Sequence, residues 1–150
     1  MKYWLVKSEP DEFSIDALQR VGVEPWSGVR NYQARNHLRE MKVGDQVLFY
    51  HSSCEVPGVV GIAKVARAAY ADPTQFDLDS DYHDPKSDPA DPRWSAVDVA
   101  FGRKLKRTLT LDEIRAQAAK LGDFALIRRG NRLSVLPVSA AQWKTLLALE

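Results

Sequence analysis

The chain has 150 residues, 45% of them hydrophobic and 27% charged, with a formal net charge of +1 and one cysteine. This composition is ordinary for a globular protein and is long enough for one domain over residues 1–150 with a sizeable core. It excludes an intramolecular disulfide, because Cys54 has no partner, and a globally basic surface of the kind that marks non-specific polyanion binding. Charge is nevertheless uneven. Residues 72–93 hold seven Asp against Lys86 and Arg93, a net of −5, which leaves +6 on the rest of the chain. The N-terminal apolar run is too short for a signal peptide or a membrane span, so the expectation is a cytoplasmic protein with no membrane partner.

Tyr3 to Val6 is aromatic and β-branched and reads as a first strand. Lys7-Ser8-Glu9-Pro10 ends it, since Pro10 has no N–H to donate. Ser14 caps a helix that runs to about Arg20 and ends near Gly22, with Phe13 and Leu18 at the two positions of a hydrophobic staple. A loop from Trp26 leads into a second helix, about 32–41, which Asn31 caps and which places Ala34, Leu38 and Met41 on one face. After a Gly44-Asp45 turn, residues 46–51 form a strand that is apolar on both faces and therefore central. The next strand spans 59–66, where Gly61 marks a bulge or a close backbone approach. Residues 72–93 form a long loop with four prolines, and loops of that length are usually functional or mobile.

A strand follows over 94–101, with Val97, Val99 and Phe101 on one face and Asp98 on the other. Thr110 and Glu113 make a capping box for a helix that Gly122 ends. A short strand over 132–136 is stopped by Pro137, and Ser139 with Gln142 starts a C-terminal helix. The order β-α-α-β-β-loop-β-α-β-α has no repeated βαβ unit. It predicts an α+β domain with a curved or barrel-like mixed sheet.

No catalytic signature is present: no phosphate-cradling Gly-rich loop, no G-x-S-x-G and no H-E-x-x-H. Asp77-x-Asp79-x-Asp81 resembles the start of a calcium loop but lacks its Gly and its final Glu, so no metal and no cofactor are expected. His37 and His83 read as surface residues. The stretch Trp26 to Asn36 is different, because Val29 is its only aliphatic residue larger than Ala. Its Trp26, Arg30, Asn31, Tyr32 and Arg35 suit a flat, polar, phosphate-bearing ligand, or else a surface loop whose Trp packs on its own domain. Lys7-Ser8-Glu9 and His51-Ser52 each follow an apolar strand and can point into a cleft or make plain strand-end turns. Trp94 can wall a pocket or anchor the long loop. Arg128, Arg129 and Arg132 around Gly130-Asn131 read as a turn with a basic tip, a phosphate contact or a solvated hairpin.

Residues 3–10, the Trp26–Asn36 stretch, Gly44-Asp45, Phe49-Tyr50-His51-Ser52, Val59-Val60-Gly61, Asp72-Pro73 and Trp94 with Val97-Asp98-Val99 together resemble the EVE domain over essentially the whole chain. The resemblance implies a PUA-like fold near the YTH and ASCH domains, and a reader of modified bases in DNA or RNA that performs no turnover. In that reading a base leaves its stack and enters a pocket. Trp26 and Trp94 stack on it; Lys7, Ser8, Asn31, Ser52 and Asp98 read its edge; Arg30 and Arg35 hold the flanking phosphates. Glu9, Val29, Tyr32 and His51 complete the expected site. The alternative is a small amidohydrolase of ASCH type using Lys7, Ser8 and Glu9, although neighbours on a strand face opposite ways. A third reading is a partner-binding module that uses the acidic loop. The oligomeric state is open.

Overall fold

A computed structural model describes residues 1–150. Its first strand, β1 (Tyr3–Ser8), lies parallel to β3 (Gln46–His51), with Leu5 opposite Leu48 and Val6 opposite Phe49. Between them come α1 (Ile15–Val21), β2 (Val23–Trp26) and α2 (Tyr32–Glu40). β4 (Gly58–Ala71) and β5 (Ser95–Thr110) follow as antiparallel neighbours, then α3 (Leu111–Ala116), α4 (Ala118–Leu121), β6 (Val135–Val138) and α5 (Ala140–Leu147). The six strands form one sheet in the order β2-β5-β4-β3-β1-β6, in which only β1 and β3 are parallel. The edge strands β2 and β6 do not pair, so the sheet is curved and open, and the fold is α+β as expected.

Local rules account for most of these elements. Ser14, Asn31, Thr110 and Ser139 each accept a hydrogen bond from the N–H three residues on, and the last two form full capping boxes. β3 is central, and Val47 to Tyr50 are buried on both of its faces. Ladder register slips between Phe49 and Tyr50 and again between Val59 and Gly61. At Gly61 a Cβ would lie 2.6 Å from the Ile15 side chain, so the missing side chain lets α1 sit down on the sheet.

Four expectations are corrected. Val23 to Trp26 is a strand rather than the start of a loop. Its Pro25 is tolerated because β2 is an edge, where only one side of the backbone pairs. For the same reason Pro137 lies inside β6, opposite Trp4, instead of ending the strand before it. β4 and β5 each run well beyond the predicted bounds; the largely exposed end of β4 pairs with the buried start of β5, and the largely exposed end of β5 pairs with the buried start of β4. The predicted helix up to Gly122 is broken at Gln117 into α3 and α4.

One buried charge fixes the start of the chain. Asp45 is 3% exposed and accepts from Trp4 Nε1 at 3.0 Å, Lys42 N at 2.9 Å and Lys2 N at 3.1 Å. Burial alone would raise its pKa, but these donors outweigh it and hold the carboxyl below its usual range. A depressed folded-state pKa stabilises the fold above the unfolded value of about 3.9 and is lost as pH falls through the folded value. Urea unfolding of Asp45→Ala at neutral pH should show a loss of at least about 1–3 kcal/mol, from the stranded Trp4 donor. The stability of the variant should also fall less steeply than that of the parent below about pH 4.

Candidate functional site

β1 and β3 both deliver their C-terminal ends to one side of the sheet. There a cleft of about 550 Å³ opens, lined by Lys7, Ser8, Glu9, Ser52 and Ser53 from those ends, Glu12 and Phe13 from the first turn, and Glu24 to Asn31. Tyr82 from the long loop and Arg132 with Ser134 ahead of β6 close it. The volume suits a nucleoside-sized ligand.

The wall from Gly28 to Arg30 is held by a residue more than forty positions away. Asp72 has a fully buried side chain, and both of its oxygens are saturated. One accepts from Gly28 N at 2.7 Å and Arg30 Nη1 at 3.0 Å; the other accepts from Thr74 N at 2.8 Å and Thr74 Oγ1 at 2.6 Å. Burial opposes the charge, yet the donors from Thr74, Gly28 and Arg30 carry the pKa below the ordinary value. Arg30 also donates to Tyr82 O, Thr74 Oγ1 and Val29 O, so all five of its N–H groups are engaged. Its guanidinium lies 5.7 Å from the Tyr82 ring centre and 5.4 Å from that of Trp94.

The rest of the long loop is pinned by Gln75. Its amide donates to Asp72 O and Trp94 O and accepts from Ser87 Oγ and Trp94 N. The loop is therefore a framework that carries Tyr82 to the cleft. The Tyr82 ring lies against Gly28, which has φ +83 and where a Cβ would come within 2.9 Å of the ring.

Eight expected site residues line the cleft: Lys7, Ser8, Glu9, Trp26, Val29, Arg30, Asn31 and Ser52. Several differ in role from the expectation. Trp26 is 9% exposed and packs edge-on against Phe49 and Phe13, so it is part of the floor and is not presented by a loop. Arg30 is a strut with no donor left for a phosphate. Ser8 Oγ donates to Phe13 O, which fixes the turn behind the cleft and occupies the hydroxyl the amidohydrolase reading requires. Asn31 caps α2 through Oδ1, at 3.0 Å from Ala34 N, and keeps its NH₂ group for other partners. Lys7 is half-buried, joins no ion pair, and has its pKa lowered by burial.

Five expected residues lie outside the cleft. Trp94 is 5% exposed, donates from Nε1 to Asp84 and stacks on Tyr32 with ring centres 4.8 Å apart; it anchors the loop, and Tyr32 sits outside with it. Arg35 lies over Tyr32 and donates to Asn36 Oδ1 and Arg93 O. Asp98 accepts from the Tyr70 hydroxyl where the end of β4 meets the start of β5, and burial and then that carboxylate push Tyr70 up to about 12. His51 accepts from Ile15 N at the start of α1 through Nε2, and burial lowers its pKa, which keeps that acceptor unprotonated. His37 is half-buried near Trp4 rather than a plain surface residue.

Tyr82 and Glu24 line the cleft with no signal in the sequence, whereas Arg132 belongs to the basic tip that the sequence offered as a phosphate contact or a solvated hairpin. Tyr82 and Arg132 reach the cleft only through tertiary folding, and Glu24 does so because β2 exists. Burial raises the Glu24 pKa.

An open mixed sheet with a polar, aromatic-floored cleft at the ends of its parallel pair defines the class, and residues 2–149 match the EVE domain family. This chain belongs to that family. Thymocyte nuclear protein 1 of Danio rerio is 43% identical over 98% of this chain and 71% of its own length. A Pseudomonas putida protein of known crystal structure is 54% identical, with TM-score 0.95 and 98% of each chain covered. Human THYN1, solved in complex with 5-methylcytosine containing DNA, is 38% identical with TM-score 0.95, covering 99% of this chain and 97% of that one.

Gly28→Ala should destabilise the protein by about 1–2 kcal/mol from backbone conformation, with a further loss from the Tyr82 contact. In urea unfolding, Gly28→Ala/Tyr82→Ala should recover only that further part. Fully additive effects of the two single changes would show that the ring does not constrain position 28.

Proposed function

We propose that this protein reads modified bases in DNA, accepting a flipped or unpaired 5-methylcytosine or a closely related base in the cleft, without turnover. The observation that carries the reading is the joint one. The cleft has nucleoside dimensions, an aromatic and apolar part (Phe13, Pro25, Trp26, Val29, Tyr82) and a polar part, on a fold shared at TM-score 0.95 with human THYN1, which was solved with 5-methylcytosine containing DNA. Tyr82, which is 44% exposed at the rim, supplies the accessible stacking face. A cytosine's exocyclic amine needs an acceptor, and a carboxylate suits it. Glu24 fills that role in this proposal, with Asn31 and Ser52 reading the remaining edge.

Residues 1–150 act as one EVE unit in this reading. No helix is long and apolar enough to cross a membrane. A cytoplasmic location is part of the proposal, and the single cysteine, Cys54, is compatible with a reducing compartment.

The test is binding of matched DNA and RNA oligonucleotides, each with and without one 5-methylcytosine, at fixed salt. A buried methyl is worth about 0.8 kcal/mol, so the methylated DNA should bind roughly fourfold tighter than its parent. Tyr82→Ala should weaken it by about 1–3 kcal/mol, the value of one stacked base. Equal binding of both cytosines, together with an inert Tyr82→Ala, would overturn the reading. A preference confined to RNA would transfer it to that polymer.

A second expectation follows from Lys7. A cation whose pKa burial has lowered loses its charge at lower pH than a free lysine. Affinity for the oligonucleotide should therefore decline as pH rises through that lowered value, and Lys7→Met should remove the decline. An identical alkaline profile in the variant would take Lys7 out of the binding site.

A further inference from the structure

A nucleotide that places its base in the cleft brings its flanking phosphates to the rim. The two arginines of the Trp26–Asn36 stretch do not serve them: Arg30 has every N–H engaged, and Arg35 is directed to Asn36 and Arg93 O beside Tyr32. A second cavity of about 340 Å³ adjoins the cleft and shares Asn31 and Arg132 with it. Its lining includes Arg128, Arg129, Arg132 and Gln33 and holds no carboxylate, whereas the base cleft itself carries Glu9, Glu12 and Glu24.

The arginines are differently engaged. Arg128 is paired with Asp123, 2.8 Å from its Oδ1, and that partner is largely exposed. Arg129 and Arg132 are exposed and belong to no ion pair. The loop that carries them is built rather than floppy. Asn131 N donates to Arg128 O, Asn131 Oδ1 accepts from Leu133 N at 2.9 Å, Gly130 takes φ +76 at the tip, and Leu133 is anchored in the core at 9% exposure. The rim carried by Tyr82, in contrast, belongs to the loop whose exposed Asp77, Asp79, Asp81, Asp88 and Asp91 repel a phosphate backbone.

Resting on the base-reading proposal, we infer that the loop 128–132 is the seat of the nucleic-acid backbone, with Arg129 and Arg132 taking the phosphates next to the bound base and the amides of Asn31 and Gln33 assisting. The strand thus leaves the cleft over this loop and away from residues 72–93. Phosphate contacts fix position and carry no base information. This arrangement therefore separates affinity from selectivity.

The experiment is a salt titration of binding to a 5-methylcytosine DNA oligonucleotide and its plain parent, with wild type and Arg129→Gln/Arg132→Gln. Each phosphate neutralised contributes roughly 0.7–0.9 to the slope of log K against log salt, so the double variant should lower that slope by about 1.4–1.8. The ratio of affinities for methylated and plain DNA should stay at its wild-type value in the single variant Arg129→Gln, whose residue lines only the second cavity. Lys42→Gln/Lys120→Gln makes the same charge change elsewhere on the surface and should leave the slope nearly unchanged. An unchanged slope in the arginine variant, or an equal fall in the lysine control, overturns the inference while leaving base reading intact. A fall in slope confined to the arginine variant, with no discrimination between the cytosines even in wild type, would sustain the backbone seat and sink the base reading.

Discussion

The ion pair between Asp72 and Arg30 joins two segments that the chain separates by more than forty residues, and the shape of the cleft depends on it. Asp72 sits at the first turn after β4, and four donors converge on its two oxygens. Removing one partner of a buried, hydrogen-bonded pair costs about 3–5 kcal/mol, because the other charge is left without compensation. Here the loss would also be geometric. Gly28 would lose the carboxylate that holds its N–H, and Arg30 would lose the acid that directs its fork toward Tyr82 O. The wall of the cleft and its aromatic rim are thus set by one electrostatic knot.

That knot also explains how a 22-residue segment rich in Asp and Pro can be an ordered part of the cleft. Its backbone is tied to Gln75, whose amide uses both donor hydrogens and both acceptor positions inside the protein. Trp94 closes the far end through Asp84 and its stack on Tyr32. Between these ties, the acidic side chains stay in water and Tyr82 is brought to Gly28. The loop's negative charge then has a consequence beyond solubility, since it disfavours one of the routes a polyanion could take past the cleft.

What the sequence made legible was what local chemistry decides. Ser14, Asn31, Thr110 and Ser139 cap helices because a short polar side chain can reach an N–H three residues on. The central place of residues 46–51 follows from their apolar faces. The site stretch was also recognisable, and Lys7, Ser8, Val29, Asn31 and Ser52 do meet at the cleft. The individual roles within it were not legible, because partners distant in sequence assign them. Arg30 is turned inward by residues 72–82, Trp94 is claimed by Asp84 and Tyr32, and Asp98 by Tyr70. An arginine beside a tryptophan has the same appearance in sequence whether its fork faces a phosphate or a buried aspartate. The two strand prolines were misread for a related reason: edge position is a property of the assembled sheet.

The energetics of the proposed base reading favour a division of labour between the cleft and the loop 128–132. A methyl group adds about 0.8 kcal/mol on burial, and a stacked base about 1–3 kcal/mol. Such terms discriminate between bases, yet they offset only part of the cost of immobilising a nucleotide, itself several kcal/mol. A protein with a net charge of only +1 has no diffuse surface field to make up the difference. Affinity must then come from a few cations placed where the backbone passes. Arg30 could serve that purpose only by abandoning Asp72, which would dismantle the wall that defines the pocket. In the proposed arrangement the phosphate contacts lie on a separate, internally braced loop, which removes that conflict. The proposed base pocket then keeps its geometry, and the charge proposed to hold the polymer remains free to exchange with salt.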